Sequence, residues 1–308
     1  MKRVLVAGEI NVDLVFAGCT ALPEFGRETL APTFRQTPGS SAMICALGLA
    51  RLGNDVRFVG RCGADAWGNY CLAALRDAGI DVAAAIADPS LTTGVTVAIS
   101  SHTDRALLTY PGATAALLAD DVAAALAGAA HLHVTSFYLQ ERLRPQLGEL
   151  FARAKAAGMT TSLDPGSDPA QRWDSDVVDV LRHVDLFFPN YAEAGAITGH
   201  ESPEAALLGL AFASDTTLTV VKLGEHGAMA FDGERVLTVA APAADVVDTT
   251  GAGDSFDAGF LHAWLRDLPL AECLAWGNAC GALSTRGIGG TTAQPSADEV
   301  LAVIGTAP

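Results

Sequence analysis

Short apolar runs that end in glycine or a polar residue alternate with longer, alanine-rich stretches along this 308-residue chain. "RVLVAG" predicts a buried first strand, and "GSSAMICALGLARLG" a helix with Gly53 as its natural C-cap. "DVRFVGRCG" predicts the next strand, and "WGNYCLAALRDAG" a helix again stopped by glycine. The alternation continues through a strand at "HLHVTSF", a helix at "RPQLGELFARAKAAG" and a strand at "TTSLDPG". "VDLFFPN" predicts a strand, "YAEAGAITG" a short helix and "LTVVKLG" a strand, and two helices follow at "DSFDAGFLHAWLRD" and "LAECLAWGNACGALSTRG". Strands alternating with helices give an α/β fold, a doubly wound and mostly parallel sheet flanked by helices. Ligands of such sheets bind beyond the carboxyl ends of the strands. Asp13, Asp164, Asn190 and Lys222 fall at such ends.

Two stretches break the rhythm. Residues 14–35 carry no clear helix, and "TTGVTVAISSHTDRALLTYPG", residues 92–112, has two β-rich runs around "SSHTD", the pattern of a hairpin. The expectation is a single α/β domain over 1–308 with these two segments inserted as a small β-sheet lid. No linker, internal repeat or low-complexity tract interrupts it.

Composition narrows the partners. With 35 acidic against 19 basic residues the formal charge is -16, a field that repels phosphate backbones, so no nucleic-acid partner is expected. The "MKRVLVAGEINVD" start has too short an apolar stretch for a signal peptide, and no run of about 18 uncharged apolar residues occurs, so no membrane partner is expected either. Cys19, Cys45, Cys62, Cys71, Cys273 and Cys280 form no C-x-x-C pair and read as free, mostly buried thiols, which points to the cytoplasm.

The densest chemistry lies in "DVVDTTGAGDSFDAGF", residues 245–260. Phe256, Phe260 and Trp264 recur every four residues, so a helix begins near Gly253 or Asp254. The glycines permit a tight turn, and a helix start carries unpaired N–H donors and a partial positive charge. Together these make an anion hole suited to phosphate. A carboxylate fixed beside it, Asp254, can take a proton from an attacking hydroxyl while the hole holds a moving phosphoryl group. The plainer alternative is a glycine turn with an acidic first-turn residue that serves helix stability. The only lysines, Lys2, Lys155 and Lys222, complete no G-x-x-x-x-G-K-[ST] loop. "GAGDSF" lacks the third glycine of a dinucleotide fingerprint. "GDSFD" invites comparison with serine esterases, but its one nearby histidine partner for Ser255 is His262, on the same helix.

"DTTGAGDSFDAGF" closely resembles the C-terminal signature of the ribokinase-like (phosphofructokinase-B type) carbohydrate kinases, and the resemblance runs nearly end to end. "GEINVDLV", "PGSSAMICALGLARLG", "RCGADAWGNYCLAALRDAGIDV", "TTGVTVAI", "FFPNYAEAGAITG", "VVKLGEHGA", "GNACGALSTRG" and "AQPS" follow in the family's order. The resemblance implies an ATP-dependent kinase. Asp254 would be its catalytic base, and Gly251, Ala252 and Gly253 its anion hole. It places Asp13, Gly39 and Ser40 against the substrate. Asn190 and Glu193 would organise Mg2+ and the phosphates, Glu193 partly through water. Lys222 and Gly224 would approach the nucleotide phosphates, Gly227 would leave room for the nucleotide, and Asn278 would face adenine. Asp248, Thr250 and Ser296 match positions near a K+ site. The lid would close on the sugar, and some members form a homodimer through it.

Three positions depart from the pattern. Ile44 stands where the family often has Asn, and Gly166 and Asp168 stand where fructokinases and ketodeoxygluconate kinases have Asn and Arg. An acid in place of that arginine favours a small neutral sugar over a sugar acid or a phosphorylated substrate. The alternative within the fold is a nucleoside kinase, with Phe16, Phe25, Phe34 and Tyr110 in the lid available to a base. A more remote alternative is a non-catalytic ligand sensor.

Overall fold

From Val4 to Ala7 every residue of the first strand is fully buried. Val4 and Val6 join one apolar core and Leu5 and Ala7 a second. A strand with both faces covered is the mark of a sheet sandwiched between helix layers. The computed structural model describes residues 2–100, 105–173, 176–214 and 217–305. Its strands are β1 (Arg3–Ala7), β2 (Asn11–Ala17), β3 (Thr33–Gly39), β4 (Asp55–Val59), β5 (Arg61–Gly63), β6 (Ile86–Asp88), β7 (Gly94–Ser100), β8 (Arg105–Tyr110), β9 (His131–Val134), β10 (Thr160–Leu163), β11 (Leu186–Phe187), β12 (Leu218–Lys222), β13 (Ala228–Phe231) and β14 (Val236–Val239). Its helices are α1 (Ser41–Arg51), α2 (Ala66–Asp77), α3 (Ala119–Ala125), α4 (Leu147–Ala156), α5 (Asp176–Leu181), α6 (Tyr191–Thr198), α7 (Pro203–Ser214), α8 (Ala252–Trp264), α9 (Leu270–Ser284) and α10 (Ala297–Ile304).

The main sheet has eight strands in the order β14-β13-β12-β11-β10-β9-β1-β4. From β4 to β12 the neighbours are parallel, while β13 and β14 add an antiparallel edge. The chain leaves β1 towards β4 on one side and later returns to β9 on the other. The order therefore reverses between β1 and β9, where doubly wound sheets open a ligand crevice. Helices α1, α8 and α9 supply the first core, and α4, α5 and α7 the second. On α8 the rings of Phe256, Phe260 and Trp264 stack in sequence, with centroids 6.2 Å apart at each step, and Phe188 meets Phe260 edge-on at 5.1 Å. Burying such a ring stabilises the fold by about 1.5–3 kcal/mol, which anchors the helix whose first turn carries Asp254.

A four-stranded sheet, β3-β2-β7-β8, stands apart from the main one. It covers both segments set aside as a lid, but its strands begin earlier, at Asn11, and run on to Gly39. The hairpin of β7 and β8 is present, and its turn at 101–104 lies outside the described residues. "DVRFVGRCG" is not one strand. The chain breaks at Gly60, leaving β4 in the main sheet while β5 pairs with β6. A Cβ at Gly60 would come within 2.4 Å of the Gly8 carbonyl oxygen, so the missing side chain allows the close crossing there. The edge hairpin of β13 and β14 had no counterpart in the alternation of single strands and helices.

Candidate active site

The crevice between β1 and β9 is bridged by a carboxylate. Glu9, just past β1, is buried and accepts hydrogen bonds from the Ser41 N–H at 3.2 Å, the Thr135 hydroxyl at 3.0 Å, the Ser136 hydroxyl and the Gln140 amide at 3.3 Å. Thr135 and Ser136 follow β9, so Glu9 ties the two sides of the switch point together. Burial pushes its carboxyl above the usual range, and these donors pull it part of the way back.

Residues 39–44 carry the crevice from one carboxylate to the next. Asp13 on β2 is 6% exposed, and Gly39 lies so near it that a Cβ there would fall 2.0 Å from Asp13 Oδ1. Ser40 follows at φ 73, an unusual backbone for a residue with a side chain. Its hydroxyl donates to the Glu9 carbonyl oxygen at 2.7 Å and accepts the Met43 N–H, capping α1. Ser41 lies on the Asp254 side of this turn and favours the charged form of that carboxyl. Ile44 is buried with its Cδ1 and Cγ2 against Gly251, each 3.0 Å from where a Cβ would be, so an apolar wall closes the place where the family often carries Asn.

Gly251 holds φ 71 and turns the chain into α8. Ser40, Asp65, Asn190 and Ser296 cap α1, α2, α6 and α10 with their side chains, but no side chain caps α8. Its first-turn N–H groups at Gly253 and Asp254 have no helical acceptor upstream. The Ala252 N–H makes only a long bond of 3.3 Å, to the Thr249 carbonyl. Helix α8 starts at Ala252, a residue or two before the expected Gly253 or Asp254, because Gly251 takes the turn alone. Asp254 is partly exposed in that first turn. Burial and then Asp164 push its carboxyl up to about 6, while Lys222 and Ser41 pull it down. An uncapped, positive helix end beside a carboxylate of that acidity can hold an anion and take a proton near neutral pH.

The sequence model of the pfkB family carbohydrate kinases matches residues 1–297. The chain belongs to this family. It is 33% identical over 307 residues to an ATP-dependent ribose-1-phosphate kinase of Halopiger xanaduensis, covering 99% of this chain and 98% of that one. It is 30% identical to fructokinase-1 of Zea mays, with 98% of each covered. Arabidopsis thaliana ribokinase, solved with ribose and ATP, superposes with a TM-score of 0.86 at 26% identity, with 99% of each chain covered. The pfkB protein is thus a carbohydrate kinase of ribokinase-like fold, as its late signature and element order led us to expect. The esterase comparison fails on geometry. Ser255 is buried and its hydroxyl accepts from Gln294, while His262 stacks on Trp276 and pairs with Asn54.

The remaining assigned residues sit as follows. Asn190 and Glu193 form a reciprocal cap on α6: the Asn190 Oδ1 accepts the Glu193 N–H at 2.9 Å, and a Glu193 carboxylate oxygen accepts the Asn190 N–H at 2.8 Å. Burial and then Asp164 push the Glu193 carboxyl up to about 7. Lys222 was assigned to nucleotide phosphates; the residue is 9% exposed, and its ammonium donates to Asp164 at 2.6 Å and to Asp257 at 3.2 and 3.4 Å. Gly224 faces open space, whereas a Cβ at Gly227 would lie 2.0 Å from the Val239 carbonyl oxygen. The missing side chain at Gly227 thus makes room for the end of β14. Asn278 donates to that same carbonyl at 2.8 Å, binding α9 to β14. Asp248 accepts from the Thr250 N–H and hydroxyl and from the Gly289 N–H, while the Ser296 hydroxyl is engaged with Glu299 as the cap of α10.

Glu9, Ser41, Asp164 and Asp257 had no role in the sequence reading. Asp164 stood at a strand end and Asp257 one turn after Asp254, so both carried a positional signal. Glu9 carried none, because nothing local distinguishes a strand-end glutamate that turns inward.

Proposed function

We propose that this pfkB kinase transfers the γ-phosphoryl group of ATP to a hydroxyl of a small neutral sugar. The reading is carried by Asp254 at the uncapped start of α8, reached from Asp13 through the continuous segment of Gly39, Ser40 and Ser41. A carboxylate such as Asp13 accepts two hydrogen bonds from a diol, which fixes the sugar. Asp254 then takes the proton of the attacking hydroxyl as its oxygen bonds to phosphorus. The bond from phosphorus to the bridging oxygen of ADP breaks, and the N–H groups of Gly251, Ala252, Gly253 and Asp254 hold the charge that spreads over the moving group.

Glu193 suits a magnesium ion, partly through water. It is an acid pushed towards neutrality by burial and by Asp164, a state that a divalent cation relieves. Bound there with Asn190, the ion would neutralise the phosphates of ATP. Gly224 leaves the backbone open to the nucleotide, and Asn278 with Gly227 would shape its far wall through β14. The side chains of Asp248, Thr250 and Ser296 are taken up by protein partners, and we route no step through a monovalent ion.

The lid favours a sugar over a nucleoside. Asp13 pairs with Thr37 and Thr96, so those side chains share one face, while Phe16 and Phe34 pair across the other, their rings tilted at 43° with centroids 5.2 Å apart. Tyr110 spends its hydroxyl on Thr92. Phe25, Leu30, Phe34, Leu108 and Tyr110 remain exposed, and we read this apolar rim as the surface for a second copy of the chain. Asp168 turns its carboxylate onto the N–H groups of Ala170, Arg172 and Trp173, so its charge orders its own loop. The neutral substrate therefore rests on the Asp13 face and not on repulsion by Asp168.

Release of ADP with Mg2+–ATP should be measured over ribose, fructose, ribose 1-phosphate and nucleosides. Highest kcat/KM with a free sugar is expected. A preference of about 100-fold for the phosphorylated pentose or a nucleoside, a difference of about 2.7 kcal/mol, would overturn the substrate class.

A further inference from the structure

The acidic groups beneath α8 outnumber what a protein interior tolerates without a cation. Asp164, Asp254 and Asp257 each place a carboxylate oxygen within 4.8 Å of the others, and Asp257 is fully buried. The cation at hand is the protein's own. The Lys222 ammonium donates to Asp164 and Asp257, and it lies 3.4 Å from where a Cβ on Gly253 would be. That places a positive charge against the positive end of a helix, an arrangement sustained only by the carboxylates around it. Burial pushes both carboxyls up; it leaves Asp257 well above its ordinary range, while at Asp164 Lys222 outweighs it and holds the carboxyl below. Lys222 sits nearer Asp164, at 2.6 Å, than Asp257, at 3.2 Å.

We propose that Lys222 is a positioning residue, a fixed internal cation that replaces a metal ion in this three-carboxylate cluster. Through Asp164 and Asp257 it sets the first turn of α8, and so the aim of Asp254 and of the anion hole, without ligating the nucleotide. Lys222 enters from the end of β12, Asp164 from the end of β10 and Asp257 from the second turn of α8, so the cluster locks the helix to the sheet at the point where the reaction occurs. The inference rests on Asp254 being the base, and its test separates the two claims.

The full chain is compared with Lys222→Met, Lys222→Ala and the double variant Lys222→Met/Asp164→Asn, using Mg2+–ATP and the best sugar. Lys222→Met is expected to lose about 100-fold in kcat, with KM for ATP and sugar within about threefold, since misplacing a reacting group by about 1 Å costs that much. Lys222→Ala should regain about tenfold in kcat with methylammonium at tens of millimolar, which a purely structural lysine would not allow, while the wild type does not respond. Should a lone buried aspartate unfold the single variants, the double variant removes both charges and is expected to fold and remain slow. Wild-type kcat in a folded Lys222→Met or double variant overturns the proposal. So does a rise of about tenfold in KM for ATP with kcat kept, which would make Lys222 a phosphate ligand. Folded Lys222→Ala that ignores methylammonium also overturns it. Wild-type turnover in Asp254→Asn would instead defeat the base assignment, whatever the Lys222 variants do.

Discussion

Gly39 lies against the carboxylate of Asp13 so closely that a single added methyl would fall 2.0 Å from Oδ1. Two adjacent strands of the four-stranded sheet thereby bring Asp13 up to the turn that leads into α1. Gly39→Ala must push Asp13 aside or shift the strand. The expected result is a rise of about tenfold or more in KM for the sugar, with KM for ATP nearly unchanged, and a stability loss of about 1–3 kcal/mol from overpacking. Steady-state kinetics in both substrates, together with a thermal melt, check it.

Asp254→Asn tests the base itself. Turnover should fall about 100- to 10,000-fold, with sugar and ATP still raising the melting temperature. The wild-type kcat should fall as pH drops through about 6, where Asp254 gains its proton. Its folded-state acidity lies above the ordinary 3.8, so the folded protein holds this proton more tightly than the unfolded chain. Stability is therefore lost as pH rises from about 4 to about 6, and the full cost is present at neutral pH. Asn carries no such charge. Asp254→Asn should accordingly be more stable than wild type at pH 7, by up to about 3 kcal/mol, a difference that urea unfolding at pH 5 should shrink.

The layer architecture was legible because its signals are local. Alternating runs, glycine stops and the four-residue spacing of Phe256, Phe260 and Trp264 each report on a few neighbouring positions. The start of α8 and Asp254 were legible for the same reason. The electrostatic setting of Asp254 was not, since Glu9, Asp164 and Lys222 come from three strand ends far apart in the chain and meet only when the sheet forms. Lys222 shows the limit most plainly. A lone lysine at a strand end reads equally well as a phosphate ligand or as a buried ion pair, and the ion pairs with Asp164 and Asp257 come from residues far from it in the chain.

Glu9 makes the switch point a structural joint as well as a site. Glu9→Ala strips the acceptor from the Ser41 N–H, the Thr135 and Ser136 hydroxyls and the Gln140 amide. Leaving several buried donors unpaired should cost about 2–4 kcal/mol, read from the urea midpoint. Glu9→Gln keeps the volume and one acceptor, and should lose about half as much. Because Glu9 holds the Ser41 N–H and Ser41 favours the charged form of Asp254, kcat of the folded Glu9→Ala protein should also fall about tenfold.

Gly227 separates a structural glycine from a nucleotide-facing one. Its φ is 96, and a Cβ would strike the Val239 carbonyl oxygen that Asn278 binds from α9. Gly227→Ala should therefore destabilise the protein by about 2–4 kcal/mol even without ATP, as β14 is forced off α9. Gly224→Ala meets nothing within 4 Å, so it should cost only about 1–2 kcal/mol of backbone strain while raising KM for ATP. Thermal melts with and without nucleotide distinguish the two. A Gly227→Ala protein that melts like wild type in the absence of ATP, yet binds ATP poorly, would return Gly227 to the nucleotide pocket.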